Sequence, residues 1–265
     1  MISFWLSLLA KMASSAAIVV AASLVVERSG PVFGALVATL PISAGPALAF
    51  LALEHSPDFL ARSTLASLAV NVGTAPFILV YAALAQRRGL ATSLGAGLAL
   101  WLGLALLLTS LALGLPEIAA LNAVSYGASY LLVRRYRTAA RPMRAPSRWW
   151  DIPARAATVM CVVAAVVMAG RWVGPRAAGI AALLPVVLTS LVLVLHPRAG
   201  GSATAAVLAN SVPGMIGFTT GLVTLHVTAV PLGSVAALLL ALAVCVAWNA
   251  ALLALSLRSA RQRTR

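Results

Sequence analysis

Apolar runs of about 20 residues, each long enough to cross roughly 30 Å of hydrocarbon as a helix, recur nine times along this chain. They lie near residues 4–26, 32–53, 62–85, 91–114, 117–133, 155–173, 176–195, 203–227 and 232–257. In lipid every backbone amide must find its partner inside the protein, so runs of this length are confined to helices. The expected fold is an all-α, polytopic membrane helical bundle with about nine transmembrane helices. Composition points the same way. Hydrophobic residues make up 62% of the chain, charged residues only 9%, and the mean hydropathy is +1.02. A soluble domain carries about a quarter of its residues as charge.

Inside these runs one signature occurs twice, 144 positions apart. The first copy reads Lys11 … Gly30-Pro31 … Ala38-Thr39-Leu40-Pro41, and the second Arg155 … Gly174-Pro175 … Ala182-Leu183-Leu184-Pro185. A further correspondence, Ser63 … Ala66 … Asn71 with Ser202 … Ala205 … Asn210, puts an asparagine into the third helix of each copy. The chain therefore divides into a first membrane repeat (1–114, helices 1–4), a crossing helix 5 with a basic linker (115–153), and a second repeat with a basic tail (154–265). A single crossing helix between two quartets turns the second upside down. Paired inverted repeats of this kind enclose a site between them in many transporters.

Charge supplies the orientation. With nine spans, 15 of the 19 basic residues fall on one face, including Arg87, Arg88, the linker arginines and those of the C-terminal tail. Lys11, Arg62, Arg171 and Arg176 fall on the other. The positive-inside rule then puts the C-terminus and linker in the cytoplasm and the N-terminus outside, as in a multi-pass bacterial inner-membrane protein. The same distribution argues against nucleic acid as the partner of the basic residues. The fifth run is the weakest; it has no charge between Ile118 and Val133, and Tyr126 and Tyr130 precede Arg134 and Arg135 as an interfacial belt would. Met1–Leu9 has no basic lead-in and no small-residue cleavage site, so no removable signal peptide is expected.

Candidate functional residues come from the repeats. A proline within a helix removes one backbone hydrogen bond and kinks the helix. Pro41 lies among Thr39, Ser43, Gly45 and Pro46, and Pro185 is followed by Thr189 and Ser190. Matched helix breakers with small hydroxyls point to a substrate pathway at the midplane; plain shaping of helix packing is the other reading. Asn71 and Asn210 either line that pathway or serve as interhelical hydrogen bonds. Lys11 and Arg155 either anchor helix ends at the interface or set a positive electrostatic mouth on each side of a central cavity. Asn122, Ser125, Trp248 and Asn249 read as packing and helix–helix hydrogen bonding. Glu54, His55 and Asp58 read as a solvated loop, with His55 and His196 on opposite faces and His226 able to approach the outer one. Cys161 and Cys245 sit alone in apolar helices. No metal cluster, nucleophile triad or phosphate-binding glycine loop is legible, so neither cofactor nor enzymatic activity is expected.

Each half resembles the small four-helix GlpM-like membrane family, which carries a basic residue at the start of helix 1, a glycine near the helix 1–2 turn and a proline in helix 2. Lys11, Gly30 and Pro41 match in the first half, and Arg155, Gly174 and Pro185 in the second. The resemblance implies a tandem duplication of a four-helix unit and brings no activity with it; helix 5 falls outside it. The arrangement also resembles the opposed units of drug/metabolite transporters, which usually have ten spans. Sequence alone thus favours a small-molecule transporter or exporter in the bilayer, with a homo-oligomer open. The alternative is a non-transporting accessory or scaffold protein for a partner enzyme.

Overall fold

The computed structural model of the chain describes residues 2–28, 44–137 and 150–263. The described residues form helices α1 (Ile2–Arg28), α2 (Ala44–Glu54), α3 (Pro57–Asn71), α4 (Thr74–Leu84), α5 (Leu90–Ser110), α6 (Leu115–Val133), α7 (Asp151–Trp172), α8 (Pro175–Ala182), α9 (Val186–Ala199), α10 (Gly201–Leu232) and α11 (Ser234–Arg263), with a 3-10 turn at Arg134–Tyr136. Among them there is no strand.

Four stretches are long and apolar enough to cross a membrane: Pro57–Leu84, Leu90–Ser110, Gly201–Leu232 and Ser234–Ser256. The first combines α3 and α4. The other sequence runs resolve differently. Run 176–195 is divided into α8 and α9 at Leu183–Pro185, leaving two pieces each too short to span. Run 117–133 is the single helix α6, but Pro116, Glu117 and Asn122 dilute its apolar character and it is not among the four. Of run 32–53 only Ala44–Glu54 is described, as a shorter apolar helix, and α7 contributes Val163–Trp172 as another.

Local chemistry explains the helix ends. Ser56 caps α3 by accepting the Phe59 amide at 3.3 Å, with Pro57 in the first turn where its missing N–H leaves no gap. Gly174, from the repeated signature, has φ +114° and precedes Pro175 at the start of α8. That backbone region lies open to glycine and is strained for other residues.

α3 and α4 form the centre of the bundle. Leu60, Leu68, Val70, Phe77, Ile78 and Tyr81 are all fully buried, because this span is enclosed by α5, α6, α8 and α10. It runs antiparallel to α10. His226 Nδ1 reaches Ala61 O at 2.8 Å, Asn71 reaches Thr219 midway, and Gly201 abuts Ala85 O at the far end. The 20 residues from Ala61 to Tyr81 rise about 30 Å, the thickness of a hydrocarbon layer. α1 packs on α7 and α10 on α11.

Two ends are thereby defined. One gathers Lys11, paired with Glu54, and the Ala61–His226 contact. The other gathers Tyr81, whose hydroxyl meets His196 Nδ1 at 2.8 Å, with Ala85 and Gly201. Two glycines permit the closest approaches between elements. A Cβ on Gly179 would overlap the Ser63 carbonyl, and one on Gly201 the Ala85 carbonyl. Small residues at helix crossings are how membrane helices bring their backbones together.

Candidate intramembrane polar site

The site begins with Pro76. Lacking an N–H, it leaves the Val72 carbonyl without its helical donor. One turn earlier the ladder also fails: the Val72 N–H turns to Val70 O, and Gly73 N bonds Val70 O at 3.1 Å in a tighter turn. The Pro57–Leu84 span is therefore interrupted at Val72-Gly73, between α3 and α4. In a membrane the carbonyls released by such a break require other partners. α6 supplies them. Ser125 Oγ donates to Val72 O at 2.7 Å, and Asn122 Nδ2 donates to Leu68 O at 2.9 Å.

Asn71, the last residue of α3, joins this break to the rest of the molecule. Its Nδ2 donates to Asn122 Oδ1 at 3.1 Å and to Thr219 Oγ1 of α10 at 2.8 Å. Its Oδ1 accepts the Tyr126 hydroxyl at 3.0 Å. The carboxamide is thus used on both sides, and the residue is 1% exposed. Thr219 in turn donates to Met215 O at 3.0 Å. One buried hydroxyl at the break, Thr74 Oγ1, lies near the Tyr126 hydroxyl. Asn71 sits halfway along its 28-residue span, so the cluster lies at mid-depth.

The first sequence motif acquires a second use here. Ser63 Oγ donates to Pro175 O at 2.8 Å and Ser67 Oγ to Gly179 O at 2.9 Å. These two serines, one turn apart, seat α3 on α8, the element that opens with the Gly174-Pro175 signature of the other half. The close approach at Gly179 is what brings the hydroxyls within reach.

The remaining candidate residues are dispersed. Asn210 does not meet Asn71; it is exposed, bonding Ala206 O at 2.9 Å and Arg137 O at 3.4 Å, and sits nine residues along α10 from Asn71's partner Thr219. Pro185 precedes the first residue of α9, where a helix break was expected. Thr189 and Ser190 lie within α9, the former half-buried. Thr39, Pro41 and Ser43 lie outside the described residues, as do Gly30-Pro31 and linker residues 138–149. Arg155 belongs to the first turns of α7.

Two expectations need correction. Lys11 forms an ion pair with Glu54 at the end of α2. Glu54 is accordingly an exposed helix-end residue rather than part of a loop. Tyr126 is not interfacial: at 3% exposure its hydroxyl serves the buried cluster. Tyr130 does stack with a cation, the Arg137 guanidinium at 4.4 Å from the ring centroid. His55 stacks on Phe59 at 3.9 Å between ring centroids. Among the described residues no three His, Cys, Asp or Glu side chains group as a metal site would. Thr219 was not anticipated; in the sequence it is one threonine among several in α10, and only the three-dimensional register marks it.

Protein-family models, curated proteins and solved structures yield no match to this chain.

Proposed function

We propose that this protein is a small-molecule transporter or exporter of a bacterial inner membrane, working by alternating access of two inverted four-helix halves. The observation that carries the reading is the mid-depth cluster. Asn71 belongs to the first half, Thr219 to the second, and Asn122, Ser125 and Tyr126 to the crossing helix, so all three parts of the chain meet at one interrupted helix. Discontinuous helices at the junction of repeats are where transporters hold their substrates. Pairing of like with like supports the inverted arrangement: α1 against α7 as first helices, and α3–α4 antiparallel to α10 as third helices. The interruption at Leu183–Pro185 adds a second broken helix.

One observation favours the scaffold reading. Asn71 has already used both sides of its carboxamide on protein partners, as a structural lock would. The two are separated by flux. Purified protein reconstituted in liposomes is expected to move at least one compound of a broad metabolite panel, with Asn71→Ala abolishing movement. No flux for any compound, together with stoichiometric co-purification of a partner that is lost when the linker arginines are neutralised, would establish the scaffold instead.

A further inference from the structure

The strongest unused group in the molecule is Arg137, directly after the 3-10 turn Arg134–Tyr136. Its guanidinium face is covered by the Tyr130 ring at 4.4 Å. Two of its nitrogens, Nε and Nη2, are buried and have no hydrogen-bond partner. These two carry the N–H bonds that point the same way along one edge of the guanidinium. They form the fork that grips two oxygens of one oxoanion. Buried donors without partners are rare in folded proteins, and those of a charged group are the least tolerated. The face is therefore spent on an aromatic ring while the edge suited to an anion makes no hydrogen bond to the protein.

The surroundings fit a ligand with more than one negative oxygen. Arg134 and Arg135 are exposed one turn before Arg137, and Arg135 stacks on Tyr136 at 4.8 Å rather than on a carboxylate. The ion pair seen among the described residues, Lys11 with Glu54, involves none of them. The Arg137 backbone is itself tied to α10, since its carbonyl accepts Asn210 Nδ2 at 3.4 Å. That contact explains why an asparagine is present at an exposed position of an apolar helix: it fixes the turn from which the three arginines project.

We propose that Arg137, assisted by Arg134, binds a phosphate group through its Nε/Nη2 edge, at the end of the bundle that carries the Tyr81–His196 contact. The phosphate belongs either to an anionic lipid headgroup or to a free phosphorylated solute; the recognition chemistry is the same. This site is separate from the mid-depth cluster and stands whether or not the chain transports.

The test uses the full chain in neutral detergent. Thermal-shift titrations are run with inorganic phosphate against chloride at matched ionic strength, and with phosphatidylglycerol against phosphatidylcholine. Wild type is expected to bind at least one phosphate probe. Arg137→Lys keeps the charge but loses the fork, and its apparent affinity should fall about tenfold or more. Arg258→Lys, an exposed arginine on α11, should stay within about twofold. A response to phosphatidylglycerol alone assigns the lipid source, and a response to inorganic phosphate assigns a soluble one. Should Arg137→Lys fail to fold, Tyr130→Leu, which removes the face that aligns the guanidinium, should weaken binding several-fold. Absence of binding by wild type to either probe would overturn the proposal, as would unchanged affinity in every folded variant of the site.

Discussion

Replacing Asn71 by alanine removes three interhelical hydrogen bonds at once: to Asn122 at 3.1 Å, to Thr219 at 2.8 Å and from Tyr126 at 3.0 Å. Interhelical hydrogen bonds in membrane proteins average about 0.6 kcal/mol each, so their loss amounts to about 2 kcal/mol. Two groups are then stranded. The Tyr126 hydroxyl loses its acceptor and Asn122 Oδ1 its donor, both at positions 2–3% exposed. Buried orphans cost about 1–3 kcal/mol apiece when no water reaches them, so the expected destabilisation runs from about 2 kcal/mol with both groups rehydrated to about 8 kcal/mol with neither. The assay is reversible unfolding in mixed micelles, followed by helical ellipticity. A double-mutant cycle with Thr219→Val isolates the contact between the halves, and its coupling should lie between about 0.6 and 1.7 kcal/mol. Asn71→Ala within about 0.5 kcal/mol of wild type, or a cycle with no coupling, would refute the claim that this residue joins the halves.

Further outcomes follow from neighbouring contacts. Ser125→Ala should destabilise by about 1 kcal/mol, because it strips the donor from the carbonyl that Pro76 leaves free, and adding Pro76→Ala should recover most of that loss by restoring a backbone N–H; unfolding of the single and double variants checks it. Gly179→Val places a side chain against the Ser63 carbonyl and should cost about 2 kcal/mol or more, while Gly95→Ala, which meets open space, should be silent in the same experiment. Lys11→Ala and Glu54→Ala should each lower stability by about 1 kcal/mol, discounted for the 33% exposure of the Glu54 side chain, and the exchanged pair Lys11→Glu with Glu54→Lys should recover most of it. Tyr81→Phe leaves His196 Nδ1 without its partner and should raise thiol labelling at Ala85→Cys, the buried position beside Gly201, relative to the same cysteine in the Tyr81 background.

The membrane character and the helical class were legible because lipid imposes a length and an apolarity that survive in the sequence as runs. The helix interruption near Pro185 was equally legible, since proline acts on its own backbone. Ser63 and Gly174-Pro175 were picked out as motif residues, although what joins them, a hydroxyl on a carbonyl 112 positions away, is not a sequence property. Asn71 was singled out for its polarity, correctly for burial. Its partners are Asn122, Thr219 and Tyr126 and not Asn210, which lies nine residues along α10 from Thr219, a register that the sequence does not record. Tyr126 was misread for a similar reason: proximity to Arg134 along the chain suggested the interface, yet eight helical residues rise about 12 Å, enough to reach the interior. Lys11 showed the limit of charge counting, which orients a helix but does not see a carboxylate delivered by another one.

These contacts also bear on how the two halves could move. The α3–α4 span is fastened to α8, α9 and α10 at three depths, and the fastenings differ in kind. At one end a bond from His226 Nδ1 to the Ala61 carbonyl is joined by those of Ser63 Oγ to Pro175 O and Ser67 Oγ to Gly179 O on α8, and at the other a single bond joins Tyr81 to His196. At mid-depth the carboxamide of Asn71 engages α6 and α10 together. Rocking about a point changes distances least at that point and most at the ends. The Tyr81 end, held by one side-chain bond, can open at a cost of about 1 kcal/mol, whereas separating the middle breaks several buried bonds together. In the alternating-access reading the Asn71 cluster is therefore the fulcrum and the Tyr81–His196 contact the weaker gate, the Ala61 end being held also by Ser63 and Ser67 on α8. Labelling of cysteines placed near Ala61 and near Ala85 should then vary in opposite directions between conditions, while a cysteine at Thr219 stays protected in both; simultaneous exposure of both ends would contradict a rocking motion about Asn71.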